Sequence, residues 1–434
     1  MVKLTNILIK TIALLLTFII TAASADDLLT TYQSALKNDP QYQASIHSNL
    51  AVKENKNQAK ALFLPKAAIS AFAKKNTIDN RTLDLNYDTS GYTLGLSQPI
   101  YNKENTHTFK QSDYSISQSN ASLQRAKSDL IVRTATAYFG VLEALDTLDL
   151  RKTELKSIGT QLSDIRQQYD VGLVAITDLN ESQARHEKAI SDKLIAETEL
   201  DIARARLRII TGLEVGKLKK LKPNLKLNRP APDNVAAWQE IAEKNNNSIK
   251  AQRMAAEIAR EEIAKKRAGH YPTLDLIADY GRTNTELPTA ADSDGGAIGL
   301  ELTIPLYQGG AVQSATREAK HRFDESTQRL VETKRNIDNL VRTYYLNAVS
   351  DIKLIKAAKQ LVKATQTALD ASIAGYDTGT RTTIDVLNAR SEMFSARLSL
   401  AQARYKYLLD NLRLKDAAGI LTANDLVTLN NKLK

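Results

Sequence analysis

Two short segments carry the side chains best suited to chemistry, and they resemble each other. Tyr169-Asp-Val-Gly172 is followed by Asp178, and Tyr376-Asp-Thr-Gly379 is followed by Arg381 and Asp385. Carboxylates near a phenol and a guanidinium can form ion pairs and hydrogen bonds, or attract cations. A purely structural interpretation also fits. An Asp in the first turn of a helix complements the helix dipole by about 0.3–1 kcal/mol, and a Gly after a helix can cap it.

Catalytic patterns do not occur in the sequence. The five histidines are scattered, with no HExxH pattern and no pair four residues apart: His47, His107, His186, His270 and His321. The chain has no phosphate-binding glycine loop and no Cys, and its many carboxylates lie on charged helical stretches where solvation explains them. The sequence therefore predicts a protein that is not an enzyme and that uses no cofactor or metal ion.

The first residues are typical of an export signal. Two lysines precede the apolar run 11–22, and Ala23-Ser-Ala25 provides the small residues that a signal peptidase accepts. We expect residues 1–25 to be removed, so that the mature chain begins at Asp26. An uncleaved anchor helix is the alternative, but a spanning helix needs about 20 apolar residues. A lipidated Cys is excluded because the chain has none.

The chain is basic, but its charges are mixed. Removal of Lys3 and Lys10 lowers the formal charge from +10 to +8. The remaining cations alternate with carboxylates along helical stretches such as 257–267, which is typical of a solvated helix face. We therefore expect no nucleic-acid partner. Beyond the signal, no stretch is long and apolar enough for a membrane helix.

The sequence repeats itself. The matching segments are Leu64-Pro65 with Tyr271-Pro272, Leu96-Ser-Gln-Pro-Ile-Tyr101 with Leu302-Thr-Ile-Pro-Leu-Tyr307, Asp178 with Asp385, and Ala35-Leu-Lys-Asn38 with Ala242-Glu-Lys-Asn245. Pro65 and Pro272 lie 207 residues apart (272 minus 65), and the other pairs keep that separation to within one residue. A nearly constant offset indicates two structural repeats, joined by the proline-containing linker 222–233.

The predicted organisation follows from this repeat. The first repeat, 26–229, would contain strands at about 67–73 and 92–98, a long helix at about 102–169 and a return helix at about 177–212. The second repeat, 230–434, would contain strands at about 273–280 and 297–303, a long helix at about 308–376 and a return helix at about 384–417. The fold class is mainly α with a small β part.

Apolar residues in the predicted helices recur at alternating steps of three and four, which makes a coiled-coil seam. The seam residues are Leu155, Ile158, Leu162, Ile165 and Tyr169; Ala196, Leu200, Ala203, Leu207 and Ile210; Val362, Thr365, Leu369, Ser372 and Tyr376; and Met393, Ala396, Leu400, Ala403 and Tyr407. At 1.5 Å per residue, helix 102–169 would extend roughly 100 Å. A globular core cannot surround such a helix, so the sequence predicts a rod or a tube.

The four strand segments alternate apolar with small or polar residues. Both a membrane barrel with a wet lumen and a half-buried soluble sheet show this pattern. Four strands leave two open edges, which hydrocarbon does not tolerate, and the smallest membrane barrels have about eight strands. If the strands enter lipid, several chains must share one barrel: two, three or four chains would give eight, twelve or sixteen strands.

These features together resemble the TolC-type outer membrane efflux proteins. The resemblance is carried by the signal, the duplicated unit, Leu302-Thr-Ile-Pro-Leu-Tyr-Gln-Gly-Gly310, the two turn segments 169–178 and 376–385, and the end of the chain, 417–426. It implies a homotrimer with a periplasmic α-helical barrel and one twelve-stranded transmembrane β-barrel, four strands per chain, in the outer membrane lipid. It also implies a periplasmic adaptor and a proton-driven or ATP-driven inner-membrane transporter as partners, and export of drugs or proteins.

The resemblance also implies roles for individual residues at the periplasmic tip. Opening would untwist the helices there. Tyr376 would bond toward Asp178, and Arg381 would reach a neighbouring subunit near Thr177 and Asp178. Asp385 would form an acidic ring. The residues of this implied gate and constriction are Thr177, Asp178, Tyr376, Arg381, Asp385 and Asn388, and those of the implied adaptor-docking turns are Gly172, Leu173, Gly379 and Thr380.

One of these positions departs from the family pattern, because the family often has a second Asp where this chain has Asn388. The departure weakens the expectation of cation selectivity. Two other functions remain open at this point. One is a structural periplasmic coiled-coil protein that forms no channel, and the other is an adaptor of the same machinery, which the two equivalent hairpins disfavour.

Overall fold

The structure is a computed structural model that describes residues 27–80, 83–223, 225–287 and 289–434. The predicted signal, 1–25, lies outside the described residues. The elements in chain order are α1 (Leu28–Asn38), α2 (Pro40–Ala61), β1 (Lys66–Asn80), β2 (Leu83–Tyr101), α3 (Lys103–Asp170), α4 (Ile176–Thr211), α5 (Val235–Asn245), α6 (Asn247–Arg267), β3 (Thr273–Thr285), β4 (Ser293–Thr303), α7 (Ala311–Asp377), α8 (Thr383–Ala417) and α9 (Ala423–Asn430). None of the described helices is long and apolar enough to cross a membrane.

The repeat seen in the sequence recurs in the positions of the elements. α1 begins at Leu28 and α5 at Val235, 207 residues later. β1 and β3 begin at Lys66 and Thr273, again 207 apart. The left-handed glycines Gly172 and Gly379 share φ = 74°. The two halves of the chain therefore build the same series of elements.

Each repeat opens with two helices before its first strand. The break falls at Asp39 in the first repeat, with ψ = 115°, and at Asn246 in the second, with ψ = 125°. In the first repeat, Pro40 disfavours the α conformation at Asp39 and supplies a suitable first residue for α2. In both repeats the break residue has a short polar side chain that can bond to nearby backbone.

The compact units of the chain do not coincide with the repeats. One unit, here the α unit, contains the described residues up to 43 together with 126–246 and 337–434. The other, the β unit, contains residues 44–125 and 247–336. Each unit draws on both repeats, because the long helices α3 and α7 have residues in both units. A single repeat is therefore a unit of sequence but not of packing.

The core of the α unit lies where α1 packs on α4 and α9. Its largest fully buried side chains include Leu28, Tyr138, Phe139, Leu207 and Leu408. The linker between the repeats is fixed to this core, because Lys222 N–H donates to Lys432 O at 3.0 Å and Lys434 N–H donates to Lys220 O at 2.8 Å. The linker and the chain end thus form a short antiparallel pair.

A buried ion pair holds the break between α1 and α2. Asp39 is 2% exposed and accepts two hydrogen bonds from Arg133 of α3, at 2.8 and 2.9 Å. Burial alone would raise the pKa of Asp39, but the bonds from Arg133 and from Tyr42 N–H outweigh burial and hold that pKa below its ordinary value. At the equivalent break, Asn246 is neutral and donates to Ala417 O at 2.8 Å.

The predicted seam is fully buried in α4 and only partly buried in the other three helices; in α7 Leu369 is buried, while Val362, Thr365, Ser372 and Tyr376 are half-buried. In α4, Ala196, Leu200, Ala203, Leu207 and Ile210 are all buried, as predicted. In α8, Met393, Ala396 and Tyr407 are buried, and Leu400 and Ala403 pack against the same core at its margin. The α3 seam is wrong at its last position, because Tyr169 is 38% exposed beside the turn. The seam therefore closes one helical turn before α3 ends.

The β unit holds a four-stranded antiparallel sheet in the order β1-β2-β3-β4. The strands are longer than the predicted segments: β1 and β2 pair continuously from Lys66 with Ser97 out to Asn80 with Leu83. In β1 the added length contains the polar residues Lys74, Lys75 and Asn76, so alternation of apolar residues could not reveal it.

The register gives the sheet two unlike faces. On one face, Leu94 pairs with Ile69 and Tyr280, and Ile298 pairs with Ala278. Leu300 and Leu302 continue this face along β4. The exposed fractions of Ile69, Leu94, Ile298, Leu300 and Leu302 are 72, 49, 77, 67 and 59%.

The opposite face carries small and polar residues. Gly95 pairs with Asp279, and Asp279 pairs with Ala297. Phe72 also lies on this face, where its ring covers Gly91, 3.1 Å from the place a Cβ would take. The predicted alternation is thus present, and it leaves the apolar face uncovered by the described residues of this chain.

Candidate functional site

The two turns that join the long helices to their return helices have the same backbone hydrogen bonds. Gly172 N–H donates to Tyr169 O at 2.9 Å and Leu173 N–H to Gln168 O at 2.8 Å. Gly379 and Thr380 make the equivalent bonds, at 3.0 and 2.8 Å. This is the Schellman motif, which requires the positive φ that glycine adopts without strain. The glycines are therefore caps, as the structural interpretation of the sequence predicted.

The return helices begin differently in the two repeats. α8 is capped by Thr382, whose hydroxyl accepts from Asp385 N–H, while Asp385 accepts from Thr382 N–H at 2.9 Å. α4 has Ala175 at the equivalent position and no side-chain cap. Asp178 lies half-buried in the first turn of α4, and Thr177 beside it is exposed. The second turn is consequently the more firmly structured of the two.

Asp385 is ionised and already accepts hydrogen bonds from Thr382. Hydrogen bonds from the backbone N–H and then the hydroxyl of Thr382 hold the pKa of Asp385 below its ordinary value, and the charge of Arg381 adds to the effect. The nearest guanidinium nitrogen of Arg381 lies 4.0 Å from Asp385. The carboxylate is still 39% exposed, so it can cap its helix and face solvent at the same time.

Arg381 is placed by a glycine. A Cβ on Gly375 would lie 2.5 Å from Cγ of Arg381, so the Arg381 side chain lies directly over the bare backbone of α7. Gln168 occupies the equivalent position of the first repeat, 207 residues earlier. The exposed guanidinium of Arg381 has no partner in the described part of the chain other than Asp385. It is available for a neighbour.

Tyr376 does not bond to Asp178, which corrects the expected pairing. Its hydroxyl donates to Gln168 Oε1 at 2.8 Å, and a hydroxyl has one proton to give. The bond joins α7 to α3. It therefore links the second helical hairpin, α7–α8, to the first, α3–α4.

Two further links join the hairpins near the same end. Arg185 Nη2 donates to Asn388 Oδ1 at 3.2 Å, while its Nε donates to Glu181 at 2.9 Å. Arg390 Nη1 donates to Ser157 O of α3 at 2.7 Å, and burial lowers the pKa of this guanidinium. With the Tyr376–Gln168 bond, these contacts form three polar links between the hairpins, beside the apolar cluster of Leu369, Val386, Met393 and Phe394.

Sequence reasoning missed Gln168, Gly375, Arg185 and Arg390. A position-by-position comparison of the repeats would have exposed the first two, because the same place holds Gln in one turn and Gly in the other. The side chains at the turns themselves are exposed, including Leu173 at 75% and Val171 at 70%. No cluster of His, Asp or Glu in the described residues could hold a metal ion.

The long paired helices, the small sheet with one exposed apolar face and the polar links between hairpins define a channel-type protein of the bacterial envelope. Comparison with known families agrees. The family described as "Outer membrane efflux protein" matches residues 31–213 and again residues 238–420, once in each repeat. The chain belongs to the outer membrane efflux protein family.

Individual relatives span nearly the whole chain. It is 34% identical to "Outer membrane protein TolC" of Escherichia coli strain K12 over 424 residues, covering 95% of this chain and 86% of that relative. It is 29% identical to "Alkaline protease secretion protein AprF" of Pseudomonas aeruginosa, covering 93% and 86%. The solved CmeC outer membrane channel of Campylobacter jejuni matches with a TM-score of 0.81 at 16% identity, over 95% of this chain and 91% of that one.

These similarities decide the class of the protein. It is an outer membrane channel of the TolC type, with a large helical part in the periplasm, and it is not an enzyme. The predicted fold class, location and export function are confirmed. The alternative of a periplasmic coiled-coil protein without a channel is not favoured.

Proposed function

We propose that three copies of this chain form one exit duct through the outer membrane, and that the turns of α3–α4 and α7–α8 form its periplasmic gate. The observation that carries the proposal is a pair of unpartnered apolar stripes on two different helices of the α unit. On α4, Ile195, Ile202 and Ile209 recur every seven residues and are 55, 46 and 73% exposed.

The second stripe lies on α7. Leu340, Leu354 and Leu361 share a seven-residue register, in which Asn347 takes the remaining place, and they are 40, 52 and 49% exposed. A seven-residue apolar repeat packs on another helix. When the complementary stripes lie on different helices, copies join head to tail and close into a ring. In such a ring the stripe on α4 of one copy packs against the stripe on α7 of the next. This contact buries the apolar side chains that are exposed in a single chain.

The sheet supports the same assembly. In the described chain β1 and β4 have partners on one side only, and a closed barrel removes such edges. Tyr92 and Tyr101 bracket the apolar face, nine residues apart along β2 and both over 39% exposed. At about 3.3 Å per residue they lie about 30 Å apart. A tilted strand of this length spans the apolar band of a membrane barrel, which aromatic residues border.

The gate residues are those that link or flank the hairpins. Tyr376, Asn388 and Arg390 would hold the α7–α8 hairpin against the α3–α4 hairpin. Arg381 would reach the adjacent copy near Thr177 and Asp178. Asp385 of each copy would contribute a carboxylate to the constriction. Breaking the polar links would let the hairpins separate, since the net free energy of a single hydrogen bond is only about 0.5–1.5 kcal/mol.

The partners and cargo follow from the relatives. A passive duct needs an energised transporter in the inner membrane and an adaptor that bridges the periplasm, and the exposed Gly172-Leu173 and Gly379-Thr380 turns are where the adaptor would dock. Relatives named for protease secretion and for efflux support small toxic molecules and proteins as cargo.

The test uses purified protein in planar lipid bilayers. Tyr376→Phe removes only the hydroxyl that bonds Gln168, so we expect higher single-channel conductance than in the wild type. Tyr169→Phe is the matched control, because it is the same change at the equivalent place of the first repeat, and we expect unchanged conductance.

Two results would count against the proposal in different ways. A water-soluble periplasmic monomer would overturn the duct and support the coiled-coil alternative. Equal conductance of wild type and Tyr376→Phe, in correctly assembled oligomers of the outer membrane, would remove only the gate role.

A further inference from the structure

A cavity of about 310 Å³ lies in the α unit, away from the turns, and none of the roles proposed above uses it. The linker residues 228–231, Trp238 of α5, the second half of α8, and α9 with the residue Lys432 form its wall. The linker and the chain end are held in place by their backbone pairing. The cavity is therefore built from fixed elements.

Two lysines face this cavity, and they are not equivalent. Lys415 Nζ is paired with Asp425 at 2.6 Å. Lys432 lines the same wall, and its ammonium has no hydrogen-bond or ion-pair partner in the described part of the chain. Burial first, and then the charge of Lys415, lower the pKa of Lys432. A half-buried cation without a counterion is costly, and an anion in the cavity would remove that cost.

The wall also offers an apolar patch that a compact group could cover, beside polar residues that include Arg229, Asn411, Asp425 and Thr428. Trp238 is 2% exposed, and its Nε1 already donates to Pro232 O at 2.7 Å, so its ring presents only apolar surface. Leu412 and Leu429 complete this side of the cavity. The volume is at the lower end of that of small-molecule sites, which limits the occupant to a single ring or a short chain.

We propose that this cavity binds a small organic anion, a carboxylate carried on a compact aromatic or aliphatic group. The carboxylate would accept from Lys432, and the apolar part would lie against Trp238 and the leucines. Charge-assisted bonds to an otherwise unpaired ammonium are among the stronger polar contacts. The site is independent of the duct and its gate.

Trp238 provides a direct measurement, because it is the single tryptophan of the chain. Purified detergent-solubilised protein is titrated with 4-bromobenzoate, whose bromine quenches indole fluorescence at close range, and with uncharged 4-bromobenzyl alcohol. We expect saturable quenching by the carboxylate and at least tenfold weaker binding of the alcohol. Lys432→Met should weaken carboxylate binding by about tenfold or more, the loss of one charge-assisted bond.

The control is Lys434→Met, the same change at an exposed lysine two residues away that does not line the cavity. We expect it to bind the carboxylate like the wild type. Lys432→Met removes a half-buried ammonium that has no counterion, so the variant should be at least as stable as the wild type. A thermal melt checks this. Linear, non-saturable quenching in the wild type, or equal affinity in wild type and Lys432→Met, would overturn the proposal.

Discussion

The charge at the proposed constriction depends on a pair of residues, Arg185 and Asn388. Asn388 brings no charge, and the guanidinium that contacts it at 3.2 Å is balanced by Glu181 at 2.9 Å. Arg381 likewise lies 4.0 Å from Asp385. Cations and carboxylates are therefore interleaved at this level, and we expect weak selectivity between small cations and anions.

Replacing Asn388 by Asp should move that selectivity toward cations. Because Arg185 would pair with the new carboxylate and partly cancel it, the double variant Asn388→Asp/Arg185→Gln should shift further than the single one. The measurement is the reversal potential in a potassium chloride gradient across a planar bilayer.

Asn339→Asp makes the same change at an exposed position of α7 far along the chain from the turn, and it should leave the reversal potential unchanged. An unaltered reversal potential in the double variant, with intact oligomers, would show that this level of the duct does not select ions.

Residue types alone located this site but could not give its contacts. The repeat and the capping glycines were predictable because they depend on local sequence. The partner of Tyr376 was not, since Gln168 and Asp178 are both within a few residues of the same turn. The packing of α7 against α3 determines which of the two accepts the bond. Local sequence patterns do not predict that packing.

At the scale of elements, the break between α1 and α2 shows how the two repeats have diverged. The first repeat uses the ion pair of Asp39 and Arg133, whereas the second has Asn246 and, at the place of Arg133, Leu340. A buried pair is weak evidence for stability, but removing one partner costs about 3–5 kcal/mol.

We expect Arg133→Leu to lower the midpoint of thermal unfolding strongly at pH 7, because it leaves a carboxylate that is 2% exposed without its counterion. Asp39→Asn/Arg133→Leu copies the second repeat and should recover much of the loss. If the double variant melts as low as Arg133→Leu alone, the carboxylate is not the source of the cost.

The same pair gives a pH dependence with a definite sign. The pKa of Asp39 in the folded protein lies below its ordinary value of 3.8, so its contribution to stability is complete above that value and is lost as the pH falls through the folded-state pKa. Asp39→Asn should therefore reduce the loss of stability between neutral and strongly acidic pH. Melts in matched buffers measure it.

The fold was predictable where periodicity is strong. The long helices α3 and α7 begin and end within three residues of the predicted limits, because neither contains Pro and each ends two residues before a capping Gly. The outer half of β1 was missed because Lys74-Lys-Asn76 is polar on both faces, whereas that of β2 was missed although Leu85 and Tyr87 alternate with Asn86 and Asp88. The division into units was missed as well, because the helices that span both units look uniform in sequence.

At the scale of the whole molecule, the apolar stripes of α4 and α7 carry the prediction of assembly. A charge in the middle of one stripe should prevent ring closure, because burying an unpaired carboxylate in a helix interface is strongly unfavourable. We expect Ile202→Asp to yield monomers and Ile202→Leu, which keeps the apolar surface, to assemble normally.

Mass measurement of the detergent-solubilised protein distinguishes the two outcomes. The α unit of the monomeric variant should remain folded, because Ile202 is 46% exposed and contributes little to the core. Normal oligomers of Ile202→Asp would place the contact between copies elsewhere.

The register of the sheet also sets the order in which the chain can mature. Leu94 of β2 pairs with Tyr280 of β3, 186 positions later (280 minus 94). At about 5–20 residues per second, ribosomes need roughly 10–40 seconds to make that stretch. Throughout this interval β2 has no β3 to pair with, and the backbone edge that β3 takes in the sheet has no partner. The pairing of β2 with β3 therefore has to wait until the second repeat has been made.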